Sequence, residues 1–323
     1  MTKAIRFHET GGPEVLKFET VEVGDPGPGQ VRVRHTGIAV NFIDIYFRIG
    51  RYPAPLPNGL GSDAVGVVEA VGPGVTFLAV GDRVGYMLGP LGAYSEARVM
   101  PAEVLIKLPD GISDRTASTI IMKGLTAQYL FRQVYPLQAG DTILYHAAAG
   151  GVGLIACQWA RAIGVNMIGT VGSDAKAEAA RANGCAHVIN YNRENFVERV
   201  REITDGKGVP VVYDSVGKDT FMGSLDCLQK RGTLVSNGSS SGSVSFDVTL
   251  LAAKGSLWVT RPAMVDYALP RPNLLKMADE LFDLVLQGKI VSEPNQSFAL
   301  ADAAEAHRAL ESRQTIGASV LIP

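Results

Sequence analysis

The residues best suited to chemistry lie in one run, Thr142-Ile-Leu-Tyr-His-Ala-Ala-Ala-Gly-Gly-Val-Gly153. An apolar strand enters a glycine-rich turn that opens a helix, the arrangement that binds the pyrophosphate of a dinucleotide. Gly150 and Gly151 carry no Cβ, so the backbone can approach the phosphates closely, and Gly153 lets the helix pack on the strand. The first N–H groups of that helix, around Val152, and the positive end of its dipole then receive the anion. The usual G-x-G-x-x-G has its first glycine replaced by Ala148. A preceding strand, an amphipathic helix and a second strand supply the context that a bare glycine turn lacks.

The end of that second strand speaks to the cofactor. NAD-binding versions place an acidic residue roughly 20 positions after the turn, on the ribose 2′-OH. Here the strand ends Gly169-Thr-Val-Gly-Ser173, so Gly172 and Ser173 stand where the carboxylate would be. Without it, a 2′-phosphate meets no like charge. Lys176 in the first turn of the next helix supplies a cation, and the Ser173 hydroxyl a donor. NADPH is the expected cofactor. Asp174 reads as a helix-start residue in a favourable dipole position.

Other chemistries find no support. The five histidines (8, 35, 146, 187 and 307) and three cysteines (157, 185 and 227) show neither triad nor metal spacing. No Gly-x-Ser-x-Gly elbow occurs.

These residues must be held by two textures of chain. Up to about residue 100, short strands at Ala4 to Phe7, Val31 to Thr36, Ala64 to Val71, Arg83 to Tyr86 and Ser95 to Val99 alternate with Gly/Pro turns, which suggests a β-barrel. Helices are expected over Asn41 to Ile49 and from Asp114, capped by Ser113, through to Phe131. From Asp141 strands and helices alternate, as in a doubly wound parallel sheet. Beyond Pro270, two helices and strand-like ends match neither half and are expected to return to the N-terminal domain.

The 323 residues suffice for two cores. A formal net charge of -2 gives no reason to expect nucleic acid or an anionic membrane as the main partner. The start, Met-Thr-Lys-Ala-Ile-Arg-Phe, shows no apolar signal region, and no apolar run is long enough for a bilayer. A cytoplasmic protein is expected.

Four motifs carry a resemblance: Asn41-Phe-Ile-Asp44, Lys123-Gly-Leu-Thr126, Ala147-Ala-Ala-Gly-Gly-Val-Gly153 and Tyr213-Asp-Ser-Val-Gly217. They resemble the medium-chain dehydrogenase/reductase superfamily. Gly11-Gly-Pro-Glu-Val-Leu16 and Glu311-Ser-Arg-Gln-Thr-Ile-Gly317 are similar to its NADPH:quinone oxidoreductase branch, the zeta-crystallin-like proteins. The match runs the full length. It implies an α/β fold in which a Rossmann doubly wound sheet (residues 121–265) is inserted into a GroES-like β-barrel domain (1–120, completed by 266–323), and a homodimer. Zinc-dependent relatives carry cysteine at the place of Asn41 and Gly-His-Glu at that of Gly61-Ser62-Asp63, so no zinc donor set is expected here.

The resemblance also implies the site. A quinone would accept hydride from NADPH between the domains, under the Asn41 to Tyr46 helix. Asn41, Phe42, Ile43, Asp44 and Tyr46 would line the cofactor, with Lys123, Thr126 and Tyr129 at the domain junction. Tyr191 would cover the 2′-phosphate or adenine, and Arg313 would reach the cofactor from the tail. Val216 and the loop Asn237, Gly238, Ser239 and Ser241 would face the nicotinamide. Asn41 reads equally as a hydrogen-bond donor to nicotinamide or acceptor and as a helix cap. Tyr46 and Tyr52 read as proton donors or lining of the acceptor site, against a packing role beside Tyr52-Pro-Ala-Pro55. An alkenal or enone reductase is the alternative enzyme, and a non-catalytic NADPH-binding protein, crystallin-like or RNA-associated, the alternative of another class.

Overall fold

Along Gln30–Val40 burial alternates through Val31, Val33, His35 and Gly37 before becoming continuous from Ile38, as a strand with one face on a core requires. That strand is the third element of a computed structural model describing residues 1–323. In chain order the first elements are β1 (Thr2–Phe7), β2 (Lys17–Val21), β3 (Gln30–Val40), α1 (Phe42–Arg48), β4 (Asn58–Gly59) and β5 (Ala64–Val71). There follow β6 (Arg83–Tyr86), β7 (Ala97–Pro101), β8 (Ile106–Lys107) and the long α2 (Asp114–Tyr129). Next come β9 (Thr142–Tyr145), α3 (Gly151–Ala162), β10 (Asn166–Val171), α4 (Asp174–Ala182), β11 (His187–Asn190) and α5 (Phe196–Ile203). Then β12 (Val209–Asp214), α6 (Phe221–Cys227), β13 (Leu228–Ser236), α7 (Thr249–Ala253), β14 (Trp258–Thr260) and α8 (Met264–Ala268). The tail holds α9 (Arg271–Leu286), β15 (Pro294–Ala299), α10 (Ala303–Glu311) and β16 (Ala318–Ile322).

The chain divides into two units, Met1–Leu125 with Ala268–Pro323, and Thr126–Tyr267. In the first, a seven-stranded sheet is built on β3, which pairs antiparallel with β5, β7 and the tail strand β16. Its core takes Leu300, Ala303, Ala306 and Leu321 from the tail beside Val31, Val33, Ile38 and Tyr94. The return of the C-terminus to the N-terminal unit is thus fixed by backbone pairing and by shared core. A three-stranded sheet of β2, β1 and β4 lies in the same unit.

The second unit is a six-stranded parallel sheet in the order β11-β10-β9-β12-β13-β14. Near-continuous burial along β9, β10 and β12 reflects helices on both faces. The strand order reverses between β9 and β12, and in such sheets ligands bind beyond the carboxyl ends of the strands at that point. The expected doubly wound sheet is present. The strands β2, β4 and β8 and the helices α7 and α8 lie outside the sequence expectations, being only two to five residues long and too short for any periodicity to register.

Candidate active site

In the second unit the glycine turn joins β9 to α3. The left-handed backbone falls at Ala147 (φ 58°), so Ala148 can replace a glycine without that strain. Gly153 has no such freedom to change. A Cβ there would lie 2.4 Å from the Ala147 carbonyl oxygen and 2.6 Å from Ala148 carbonyl atoms. At Gly150 the nearest atom would be 3.3 Å away. Gly150 is also the N-cap of α3 and provides no side-chain acceptor, which leaves the first-turn N–H groups available to an anion.

The end of β10 follows the same logic. Ser173 caps α4, its hydroxyl oxygen accepting from the Lys176 N–H at 3.3 Å. Asp174 is turned away from this pair, accepting from Asn190 Nδ2 at 3.0 Å and from Arg193. A Cβ on Gly172 would lie 2.4 Å from the Tyr191 hydroxyl, so a carboxylate-bearing residue cannot enter here unless Tyr191 moves. Beyond β12, the Asp214 carboxylate accepts from the N–H groups of Val216 and Gly217 and from Thr220 Oγ1, all at 2.9 Å. The next loop is laced to it: Asn237 N–H donates to the Asp214 carbonyl and Ser241 Oγ to the Val216 carbonyl, at 2.9 and 2.8 Å. Gly238 and Ser239 are buried between them.

Near the strand switch the Tyr145 hydroxyl and the Asn237 side chain lie beside each other in a buried setting. With the uncapped helix start and the carboxylate-free end of β10, these residues fit NADPH.

The first unit gathers a different set. Asn41, N-cap of α1, donates its backbone N–H to Asp44 Oδ2 at 2.9 Å. Its amide oxygen accepts from Lys123 Nζ at 2.9 Å, and its Nδ2 donates to Asp63 Oδ2 at 3.4 Å. Asp44 also accepts from Ser62 Oγ (3.2 Å) and the Tyr94 hydroxyl (3.0 Å). Behind Tyr94, His307 Nε2 lies 3.0 Å from the hydroxyl, and Arg48 Nη1 lies 3.1 Å from His307 Nδ1. Arg48 then donates to Glu311 at 2.6 Å.

Burial dominates the acidities of this set. It pushes Asp44 up to about 6 against its hydrogen bonds, and Asp63 up to about 7 against the pull of the Lys123 ammonium. Lys123 is lowered by the same desolvation, which the two carboxylates oppose. Burial and then the Arg48 cation take His307 down to about 3.

Phe42, Ile43 and Tyr46 share α1 with Asp44, and the Tyr46 and Tyr52 rings meet edge-on at 5.4 Å. Arg313 sits in the exposed turn after α10 with φ 58°. Thr126 and Tyr129 fall in the second unit, where Tyr129 stacks on Tyr267 at 5.2 Å. The proposed residues therefore gather into the Asn41 group and the strand-end group, each within its own unit. Asp63, Tyr94, Arg48 and His307 were absent from the sequence-derived site. Only the place of Asp63 just before the apolar run Ala64-Val65 hinted at a buried role.

Known proteins resemble the chain over its full length. An alcohol dehydrogenase GroES-like domain model matches residues 27–110 and a zinc-binding dehydrogenase model residues 151–271. A quinone oxidoreductase of Pseudomonas aeruginosa is 56% identical over 325 residues, covering 100% of both chains. The chain belongs to the quinone oxidoreductase family.

The crystal structure of the Escherichia coli quinone oxidoreductase complexed with NADPH has a TM-score of 0.98 at 49% identity, over 99% of this chain and 100% of that one. A 2-haloacrylate reductase of a Burkholderia species is 48% identical over 100% of this chain and 99% of its own. Asn41 offers an amide oxygen already held by an ammonium and Ser62 donates to Asp44, so neither position supplies the cysteine or histidine donor that zinc takes.

Proposed function

We propose that this quinone oxidoreductase family member is an NADPH-dependent quinone reductase. The observation that carries the reading is the full-length likeness to a quinone oxidoreductase solved with NADPH, joined to a β10 end without a carboxylate. When bound, the dihydronicotinamide supplies the hydride. The start of α3 holds the pyrophosphate. Ser173 and Lys176 would hold the 2′-phosphate, with Tyr191 beside them. Asn237, Ser239, Ser241 and Val216 would form the nicotinamide-side loop, and Arg313 would supply a cation for the cofactor. Asn41 donates to the oxygen of the acceptor that gains charge, and Tyr46 and Tyr52 line its site. A quinone needs little more than alignment and a donor for its developing phenolate, because its product is aromatic.

The domains act as residues 1–120 with 266–323, and 121–265. The chain works as a homodimer through the sheet edge at β14, where Trp258 is 67% exposed. No helix is long and apolar enough to cross a membrane. Three buried free cysteines suit the reducing cytoplasm.

The 2-haloacrylate reductase relative favours one second reading, reduction of an activated carbon–carbon double bond, in which a tyrosine hydroxyl would protonate carbon. NADPH oxidation measured with a naphthoquinone, an α,β-unsaturated aldehyde and a 2-haloacrylate separates the two. We expect the highest kcat/KM with the quinone. Activity confined to the alkenes would replace this reading with the second.

A further inference from the structure

The Asn41 carboxamide lies between a cation and an anion. Lys123 Nζ is 2.9 Å from its oxygen, and Asp63 Oδ2 is 3.4 Å from its nitrogen. All three side chains are buried, with exposures of 9% for Asn41, 4% for Lys123 and 1% for Asp63. An ammonium can only donate and a carboxylate can only accept. A 180° flip of the amide would set donor against donor and acceptor against acceptor, and would break both charge-assisted bonds. The cation and anion therefore select one of two amide orientations that are otherwise nearly equal in shape. In the selected one, a single Nδ2 hydrogen is used on Asp63 and the second is left to donate.

We propose that Lys123 and Asp63 are positioning residues that fix the polarity of Asn41, so that it presents an N–H to the acceptor oxygen that becomes negative. The proposal rests on the reductase reading and names the residues that make its donor a donor.

A reciprocal exchange separates polarity from mere packing. In the double variant Asn41→Asp with Asp63→Asn, Lys123 can still donate to position 41 and the new amide at 63 can donate to the same carboxylate. The set of one ammonium, one carboxylate and one amide is kept, and only the donor at position 41 is lost. At about pH 8, where Asp63 is ionised, we expect the exchange to keep the melting temperature and the NADPH dissociation constant close to wild type. Its kcat, read on the acceptor that wild type reduces best, should fall roughly 100-fold. An exchanged protein with near wild-type kcat overturns the proposal. If the exchange does not fold, Lys123→Arg and Lys123→Gln decide. Arginine only donates and should keep most of kcat, whereas glutamine permits either orientation and should lower it; equal kcat in the two overturns the proposal. Failure of wild type to oxidise NADPH with any acceptor would instead overturn the reductase reading, and this proposal with it.

Discussion

Gly150 and Gly153 look interchangeable in a glycine motif, yet they answer to different constraints. At Gly153 the obstacle is the protein's own backbone: an added methyl meets the Ala147 and Ala148 carbonyl groups at 2.4 to 2.6 Å. At Gly150 the contact is milder, 3.3 Å from the Ala147 carbonyl oxygen, and a shift of a few tenths of an ångström relieves it. Gly153→Ala should therefore lower both the melting temperature and NADPH affinity. Gly150→Ala should leave the melting temperature within about 2 °C, a change on the order of 1 kcal/mol, while NADPH binding weakens roughly tenfold or more, as lost phosphate contacts require. Thermal unfolding and fluorescence titration with NADPH measure the two; equal behaviour of both variants would contradict the distinction. At this scale the candidate cofactor site could be proposed from the sequence, because the turn, Ser173 and Lys176 are close in the chain and glycine is a chemical statement in itself. The role of Ser173 could be read only in part. Its oxygen also caps α4, a local bond that needs the backbone to be seen.

Between elements, a chain of hydrogen bonds ties α10 to α1, and its direction follows from one fixed point. The Arg48 guanidinium cannot accept, so His307 Nδ1 must, which leaves the ring proton on Nε2 to donate to Tyr94. Tyr94 then donates to Asp44, the residue that closes the start of α1. A protonated His307 cannot serve this chain, and burial together with the Arg48 cation already holds its pKa down at about 3. A histidine lowered in the folded state contributes stability above its unfolded value near 6.5 that is lost as pH falls toward 3. The loss is about 1.4 kcal/mol per pH unit at most. His35, lowered by burial to about 4, acts in the same direction. Asp44 and Asp63, raised to about 6 and 7, act oppositely: their stabilisation is complete below about 4 and is lost as pH rises through those values. His307→Gln keeps an acceptor and a donor but cannot be protonated. It should lose less stability than wild type between about pH 6.5 and 5, by up to about 2 kcal/mol. Denaturant unfolding at both pH values tests this, and parallel losses would rule it out. None of this chain was legible in the sequence. Tyr94 lies 50 positions from Asp44 and 213 from His307, and each looks like an ordinary core or surface residue in its own segment. The strands of the parallel sheet were legible because doubly buried strands are apolar along their whole length.

For the molecule as a whole, the parallel sheet is covered on its two faces but ends at β14, whose outer edge pairs with no strand in the chain. Open edges of this kind are normally short, charged or covered. Here the strand is short, but it presents Trp258 at 67% exposure, and Val248 at 70% lies just before the helix that leads into it. Leu257, by contrast, is buried in the unit's own core. A second copy related by a two-fold axis would cover this edge with the same residues from the other side, since an isologous contact requires only self-complementarity. Placing a carboxylate there acts on both copies at once, setting like charges against each other and against an apolar surface. Trp258→Asp should convert a sedimenting dimer to monomer. It should leave the NADPH dissociation constant within about threefold, because the residues proposed to hold the cofactor lie on other strands of the sheet and their loops. Sedimentation velocity with and without NADPH reads both quantities. A wild-type protein that sediments as a monomer, or a variant that remains a dimer, would exclude the β14 edge as the interface. Monomerisation accompanied by loss of NADPH binding would mean that the partner copy helps to hold the strand-end loops in place.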